Sequence, residues 1–233
     1  MRMKLFFAAV AVTLAGPAAQ LVAAPAKKAA AAKDWAQTVV ATPEGGFRMG
    51  NPAAKAKVVE YASLTCPHCA DFAKSGGPAL KQLVKSGKVS FEYRSMPLNG
   101  IDVTATLVAR CGGAGKFFPL ADKLFATQKD WVGKISGLPQ TEKDRLSALP
   151  MGERLGKLAD VGGITQLAAQ LGVAPAKAKQ CLADPAGLDN LGKMHEAASA
   201  LGVTGTPTFF INGLRVHAHD WAELEPLIQS AAG

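Results

Sequence analysis

Val58-Val59-Glu60-Tyr61-Ala62-Ser63-Leu64-Thr65-Cys66-Pro67-His68-Cys69-Ala70-Asp71-Phe72-Ala73-Lys74 is the stretch on which the fold turns. Its first seven residues, Val58 to Leu64, read as a buried strand, and the residues after Cys66 read as a helix. Residues i and i+3 share a helix face, so the two sulfurs can meet and close a small ring. Pro67 suits the first helical position, where a missing N–H costs nothing. Cys66 then becomes the N-cap, beside free backbone N–H groups and the positive end of the helix dipole. A thiolate is favoured there, and the thiolate is the nucleophile. A protonated His68 would add positive charge in the same direction.

Four chemistries use such a pair. Zinc needs about four ligands, and Cys111 and Cys181 are singletons. A c-type haem needs histidine directly after the second cysteine, where this chain has Ala70. An inert disulfide across two residues closes too small a loop to stabilise much. Thiol–disulfide exchange fits the pair best.

A second stretch, Gly205-Thr206-Pro207-Thr208-Phe209-Phe210-Ile211-Asn212-Gly213, joins the first to carry a resemblance. Together, Glu60 to Cys69 and Thr206-Pro207 before a strand resemble the DsbA-like thiol–disulfide oxidoreductases of the thioredoxin superfamily. The resemblance spans about residues 47–228 and is thinnest over residues 133–161. It implies an α/β thioredoxin-like fold with a large helical insertion. The domains it suggests are a thioredoxin-like domain in two pieces, 47–100 and 202–233, around an insertion at 101–201.

The front of the chain reads as a targeting segment. Met1-Arg2-Met3-Lys4 is charged, Leu5 to Leu14 is apolar over about ten residues, and Val22-Ala23-Ala24 offers small residues for cleavage. We expect a signal peptide at 1–24 and a spacer at 25–46, Ala/Pro/Lys-rich up to Ala32, with folding starting near Trp35 to Met49. The apolar run is too short for an ordinary membrane span. The 233 residues carry a net charge of +8, and no acidic residue precedes Asp34. The remaining lysines are scattered, which speaks for a solvated surface and against a nucleic-acid partner. An exported chain with four cysteines implies a compartment that permits disulfides.

Val89 to Arg94 alternates with period two, so the order is strand–helix–strand. Gly76-Gly77-Pro78 is expected to kink a helix over residues 67–85. From Ile101 to Leu201 the pattern is helical. Leu188, Leu191, Met194, Ala198 and Leu201 mark one long amphipathic helix. Asn212-Gly213 signals a hairpin between Thr208–Ile211 and Leu214–Val216. Cys111 and Cys181 fall in separate helices. They are either two buried thiols or, as an oxidising compartment favours, a structural disulfide.

Glu60 admits two readings: a surface carboxylate on a half-exposed strand, or a buried proton acceptor beneath the cysteines. The resemblance carries a glutamate at this place and favours the second. X–Pro bonds are mostly trans, so residues alone leave Pro207 open. The resemblance implies a cis bond opposite the sulfurs, with Thr206 free to pair with an extended substrate segment.

The expected activity is therefore that of an exported, periplasmic, monomeric oxidoreductase. It passes the Cys66–Cys69 disulfide to unfolded cysteine-containing proteins through a mixed disulfide. No metal, nucleotide or flavin is implied, and a membrane-bound reoxidising partner is implied by the resemblance alone. Thr206 departs from the valine of the best-known oxidases and occurs in isomerase-type and reductase-type relatives, which stand as alternatives. A copper metallochaperone is the alternative from another class.

Overall fold

The alternation of the central strand organises the molecule. The structure, a computed structural model, describes residues 33–233 and, ahead of them, Ala8. The leader expected at 1–24 and the first part of the spacer lie outside the described residues, apart from Ala8. After a 3-10 helix at Trp35–Gln37 come β1 (Val39–Ala41), β2 (Phe47–Gly50) and β3 (Ala56–Ala62). Helices α1 (Pro67–Ser75) and α2 (Gly77–Lys85) lead to β4 (Val89–Ser95). Eight helices follow before the next strand: α3 (Gly100–Cys111), α4 (Ala114–Ala126), α5 (Gln128–Ser136), α6 (Gln140–Ser147), α7 (Met151–Gly162), α8 (Ile164–Gln170), α9 (Pro175–Ala183) and α10 (Pro185–Ala200). The chain closes with β5 (Thr208–Ile211), β6 (Leu214–Val216) and α11 (Trp221–Ala232).

The six strands form one sheet in the order β1-β2-β4-β3-β5-β6. β3 and β4 run parallel, with Glu60 beside Tyr93 and Ala62 beside Ser95. The other ladders are antiparallel. Period two then sorts β3 into two faces. Val58, Glu60 and Ala62 point to one face, and Val59 and Tyr61 to the other. The first face meets α1, α4 and α11, through ring contacts such as Phe72–Phe209 at 4.7 Å and Phe47–Phe117 at 4.2 Å. Fully burying a ring of this size contributes on the order of 1.5–3 kcal/mol. The second face holds a smaller cluster, in which Tyr61, Met96 and Phe210 pack with Ala198 of α10.

Three features differ from the sequence reading. The sheet starts within the stretch expected as a spacer, because Val39–Ala41 pairs with Phe47–Met49. The helix after the cysteines is broken into two, not kinked. Gly76 stands between them because a Cβ there would lie 2.8 Å from the Trp221 ring of α11. Leu201 sits beyond the end of α10 and is 54% exposed, so the apolar face of that helix ends at Ala198. The hairpin turn agrees with its sequence signal: Asn212 and Gly213 have φ of 52° and 83°, the left-handed pair that a tight hairpin needs. Among the described residues no helix is long and apolar enough to cross a membrane.

Cys111 at the end of α3 is joined to Cys181 on α9, across 70 residues of chain. In the chain-entropy account a loop of that length contributes about 4 kcal/mol at most. Alkylation of the native protein without reductant should leave these two residues linked in a peptide mass map, and recovery of both as alkylated thiols would overturn the bridge. The Cys111→Ala/Cys181→Ala double variant should unfold at lower denaturant with its Cys66 titration unchanged.

Candidate active site

The site begins where β3 ends. Ser63-Leu64-Thr65 carries the chain from the sheet to Cys66, and two buried side chains from the insertion hold this connection. Asp102 on α3 is fully buried. Its carboxylate accepts from the Ser63 hydroxyl, from Leu64 N at 3.0 Å, from Leu98 N at 2.9 Å and from the Thr106 hydroxyl at 3.3 Å. Burial pushes that carboxyl up, and the four donors oppose the shift. Gln128 opens α5 and is 7% exposed. Its amide donates to the carbonyls of Leu64 and Cys66, at 2.9 Å each.

Cys66 is the N-cap of α1, with extended backbone, and Pro67 takes the first helical position. The sulfur faces Thr206 across the cleft: its S–H donates to the Thr206 carbonyl at 3.2 Å. The Thr206–Pro207 bond is cis. The Thr206 hydroxyl is buried and has no partner while Cys66 is a thiol. Once the sulfur ionises, that hydroxyl is placed to donate to it.

The two cysteines are free thiols here, and their environments drive them apart. Cys66 is lowered to about 5. The largest cause is a hydrogen bond from Cys69, followed, against the cost of burial, by the Thr206 hydroxyl and the backbone N–H groups of Cys69 and His68. Cys69, with no exposed surface, is pushed far above the ordinary thiol range by burial first, then by its bond to Cys66 and the charge of Glu60. Cys66 is thus the sulfur that ionises, and Cys69 the one that holds its proton.

Glu60 lies on the face of β3 beneath α1 and is 3% exposed, so the surface reading of this residue does not hold. Its Oε1 has no partner. Burial, reinforced by the charge of Cys66, raises its carboxyl to about 8. Pro67 and His68 are exposed. What His68 gives the thiolate is its backbone N–H, a contribution that the sequence reading had placed on the ring. The structure therefore gathers Cys66, Cys69, Glu60, Thr206 and Pro207, while Cys111 and Cys181 sit in the insertion. No group of three or more His, Cys, Asp or Glu side chains is arranged to hold a metal ion among the described residues, and the copper-carrier alternative has no support.

Gln128 and Asp102 escaped the sequence reading. Asp102 carried a faint signal: Asn99 caps α3 by accepting from Asp102 N at 2.9 Å, a spacing that marks a helix start. Nothing near Gln128 marks it.

Comparison with known proteins agrees with this geometry. The thioredoxin family model matches residues 42–230. A candidate protein-disulfide oxidoreductase of Rickettsia bellii is 29% identical over 191 residues, covering 81% of this chain and 65% of that protein. A Rickettsia typhi protein of the same description is 29% identical and is covered over 54% of its length. The chain thus spans between about half and two thirds of these relatives. The crystal structure of a protein-disulfide isomerase from Novosphingobium aromaticivorans superposes with a TM-score of 0.75 at 31% identity, covering 81% of this chain and 98% of that one. Wolbachia pipientis alpha-DsbA1 shares the fold, with a TM-score of 0.66 at 22% identity over 83% of this chain and 94% of that one.

Thiolate absorbance at about 240 nm in the reduced protein should titrate with a midpoint near 5. A midpoint at or above about 8 would overturn the assignment of Cys66. Because the folded value is depressed, the stability that this thiolate gives the reduced protein is complete above the free-thiol range and is lost as pH falls through about 5. Thr206→Val removes the hydroxyl at nearly constant shape and should raise the midpoint by about one unit, with little loss of stability.

Proposed function

The chain belongs to the thioredoxin family, and on that premise we propose that it is an exported dithiol–disulfide oxidoreductase that oxidises cysteine-containing proteins. One observation carries this reading: of two sulfurs three residues apart, one is stabilised as a thiolate and the other as a thiol. An easily ionised Cys66 is a good leaving group and stabilises the reduced enzyme, which makes the disulfide form a strong oxidant.

The chemistry starts from the Cys66–Cys69 disulfide. A substrate thiolate attacks the Cys66 sulfur, and the new S–S bond forms as the Cys66–Cys69 bond breaks. Cys69 leaves with the electron pair and needs a proton. Glu60, whose carboxyl burial holds in the protonated form, supplies it. A second substrate thiolate then attacks the substrate sulfur of the mixed disulfide and expels Cys66 as a thiolate. The substrate has lost two electrons and the enzyme holds them as a dithiol. The Thr206 backbone, beside Cys66, is the edge on which an extended substrate segment pairs. Return to the disulfide requires an oxidant, which we assign to a membrane-bound partner. The charged, apolar and small-residue order of the first 24 residues supports export to the periplasm, and so does the Cys111–Cys181 bridge.

A second reading is isomerase or reductase action at the same site. It is favoured by Thr206 and by the name of the Novosphingobium relative. Redox titration against glutathione separates the two. The oxidase reading expects the Cys66–Cys69 couple to be more oxidising than the glutathione pool and the protein to form disulfides in a reduced, unfolded substrate. A couple as reducing as about −270 mV would overturn it. Glu60→Gln should slow the release of Cys69 about tenfold or more. It should also change stability in a defined window. Glu60 is raised on folding, so stability is fullest below its ordinary 4.5 and falls as pH rises towards about 8. The variant should lose that slope.

A further inference from the structure

A cleft of about 670 Å³ opens between α10, the end of α3 and the turn at 43–45 that leads into β2. A volume of this order is usual for a small-molecule site. None of its lining residues belongs to the dithiol site. Tyr61 and Arg94, neighbours across the β3–β4 ladder, line it from the sheet. Met194, Ala197 and Leu201 give it an apolar wall. Leu201, exposed beyond the end of α10, thereby has a place in the fold.

Three cations and one carboxylate line the cleft: Arg94, Arg110, Lys193 and Glu44. Two of the cations are already engaged. Arg94 donates to the Glu92 carboxylate from Nε at 2.8 Å and from Nη2 at 3.3 Å, and to the Tyr61 hydroxyl from Nη1 at 3.0 Å. Glu44 lies 3.8 Å from the same guanidinium. Lys193 is exposed and pairs with Asp189 at 2.7 Å. Arg110 is different. Among the described residues no carboxylate lies within ion-pair distance of it. Its Nη1 is buried and has no hydrogen-bond partner. Burial lowers its proton affinity, and the Tyr93 phenol is what opposes that shift.

The fold gives Arg110 two weak substitutes for a counterion. It stands in the last turn of α3, where the helix dipole favours a cation. Its guanidinium carbon lies 5.1 Å from the centroid of the Phe47 ring. Both act on the charge, and neither offers an acceptor to the N–H groups. A guanidinium with one face on a ring keeps its fork of donors in the plane, and that fork matches a carboxylate. A buried donor on an unpaired cation calls for such a partner.

We propose that this cleft binds a monocarboxylate with an apolar body, its carboxylate on Arg110 and its chain along Met194, Ala197 and Leu201. Met194, unbranched and adaptable, suits a wall that closes on chains of different shape. A phosphate fits less well, because Arg94 and Lys193 are already engaged and Glu44 repels a dianion. A free aliphatic acid and the C-terminal residue of a peptide offer the same chemistry.

Isothermal titration of the full protein tests this with two pairs of probes. One pair is hexanoate and hexanamide, and the other is N-acetyl-alanyl-leucine with its C-terminus free or amidated. Each carboxylate should bind about tenfold or more tightly than its neutral amide, and inorganic phosphate no better than the amides. Arg110→Met should weaken both carboxylates about tenfold or more and leave the Cys66 midpoint at its wild-type value. It removes a charge that has no partner in the ligand-free protein, so the fold should tolerate it. Tighter binding of the peptide than of hexanoate assigns the cleft to chain ends, and the reverse assigns it to free acids. Equal affinities for carboxylate and amide, absence of carboxylate binding, phosphate binding that matches hexanoate, or carboxylate binding untouched by Arg110→Met would each overturn the proposal. If Arg110→Met does not fold, Leu201→Glu places a negative charge at an exposed position of the same cleft. It should weaken the carboxylates relative to their amides, and an unchanged ratio there would overturn the proposal equally.

Discussion

The Cys66 sulfur stands at the amino end of α1 with the Thr206 carbonyl 3.2 Å away on the other side. The two residues are 140 apart in the chain. Everything else in the fold serves to hold them in that register. β3 delivers Cys66 and β5 follows Thr206, and the two strands lie side by side at the centre of the sheet. A slip of one residue in that ladder would turn every side chain of one strand to the opposite face. The buried Phe72–Phe209 contact, between α1 and β5, locks the helix over the same ladder.

The insertion is more than bulk attached to a small sheet. Two of its side chains, Asp102 and Gln128, bond to Ser63, Leu64 and Cys66 where the chain leaves β3, and between them they satisfy a hydroxyl, a backbone N–H and two carbonyls. A connection of this kind would otherwise leave buried polar backbone groups unpaired, at a cost of about 1–3 kcal/mol each. The insertion thereby fixes the direction in which the Cys66 sulfur points. Its own rigidity comes from a buried core around Trp131, Leu155 and Ile164 and from the Cys111–Cys181 bridge.

The same burial acts with opposite sign on neighbouring groups. Cys69 and Glu60 are held protonated because both are buried beneath α1, and Cys66 ionises because the helix end and its neighbours supply donors. Placing acid and nucleophile a few residues apart, in environments that push their proton affinities in opposite directions, is how one site can both stabilise a leaving thiolate and keep a proton at hand.

By itself the sequence determined the local grammar. Cys66-Pro67-His68-Cys69 after an apolar run specifies a nucleophile at a helix start, because proline and the i, i+3 spacing act within a few residues. The period-two and helical patterns specify a parallel strand pair and a helical insertion, and Asn212-Gly213 specifies a hairpin. What the tertiary structure alone decided is which distant residues meet. Val39–Ala41 is too short a segment to carry a strand signal, and it pairs because β2 offers a free edge. The helix breaks ahead of Pro78, which has no N–H to continue it, and the residue at the break must be glycine because the Trp221 ring lies against Gly76. Gln128 looks like any polar helix residue until α5 packs beside Cys66. Tyr93 looks like an ordinary strand aromatic until the register sets it beside Glu60. Burial, register and the pairing of distant polar groups depend on the closed ladder and the packed core as a whole, and no window of neighbouring residues contains them.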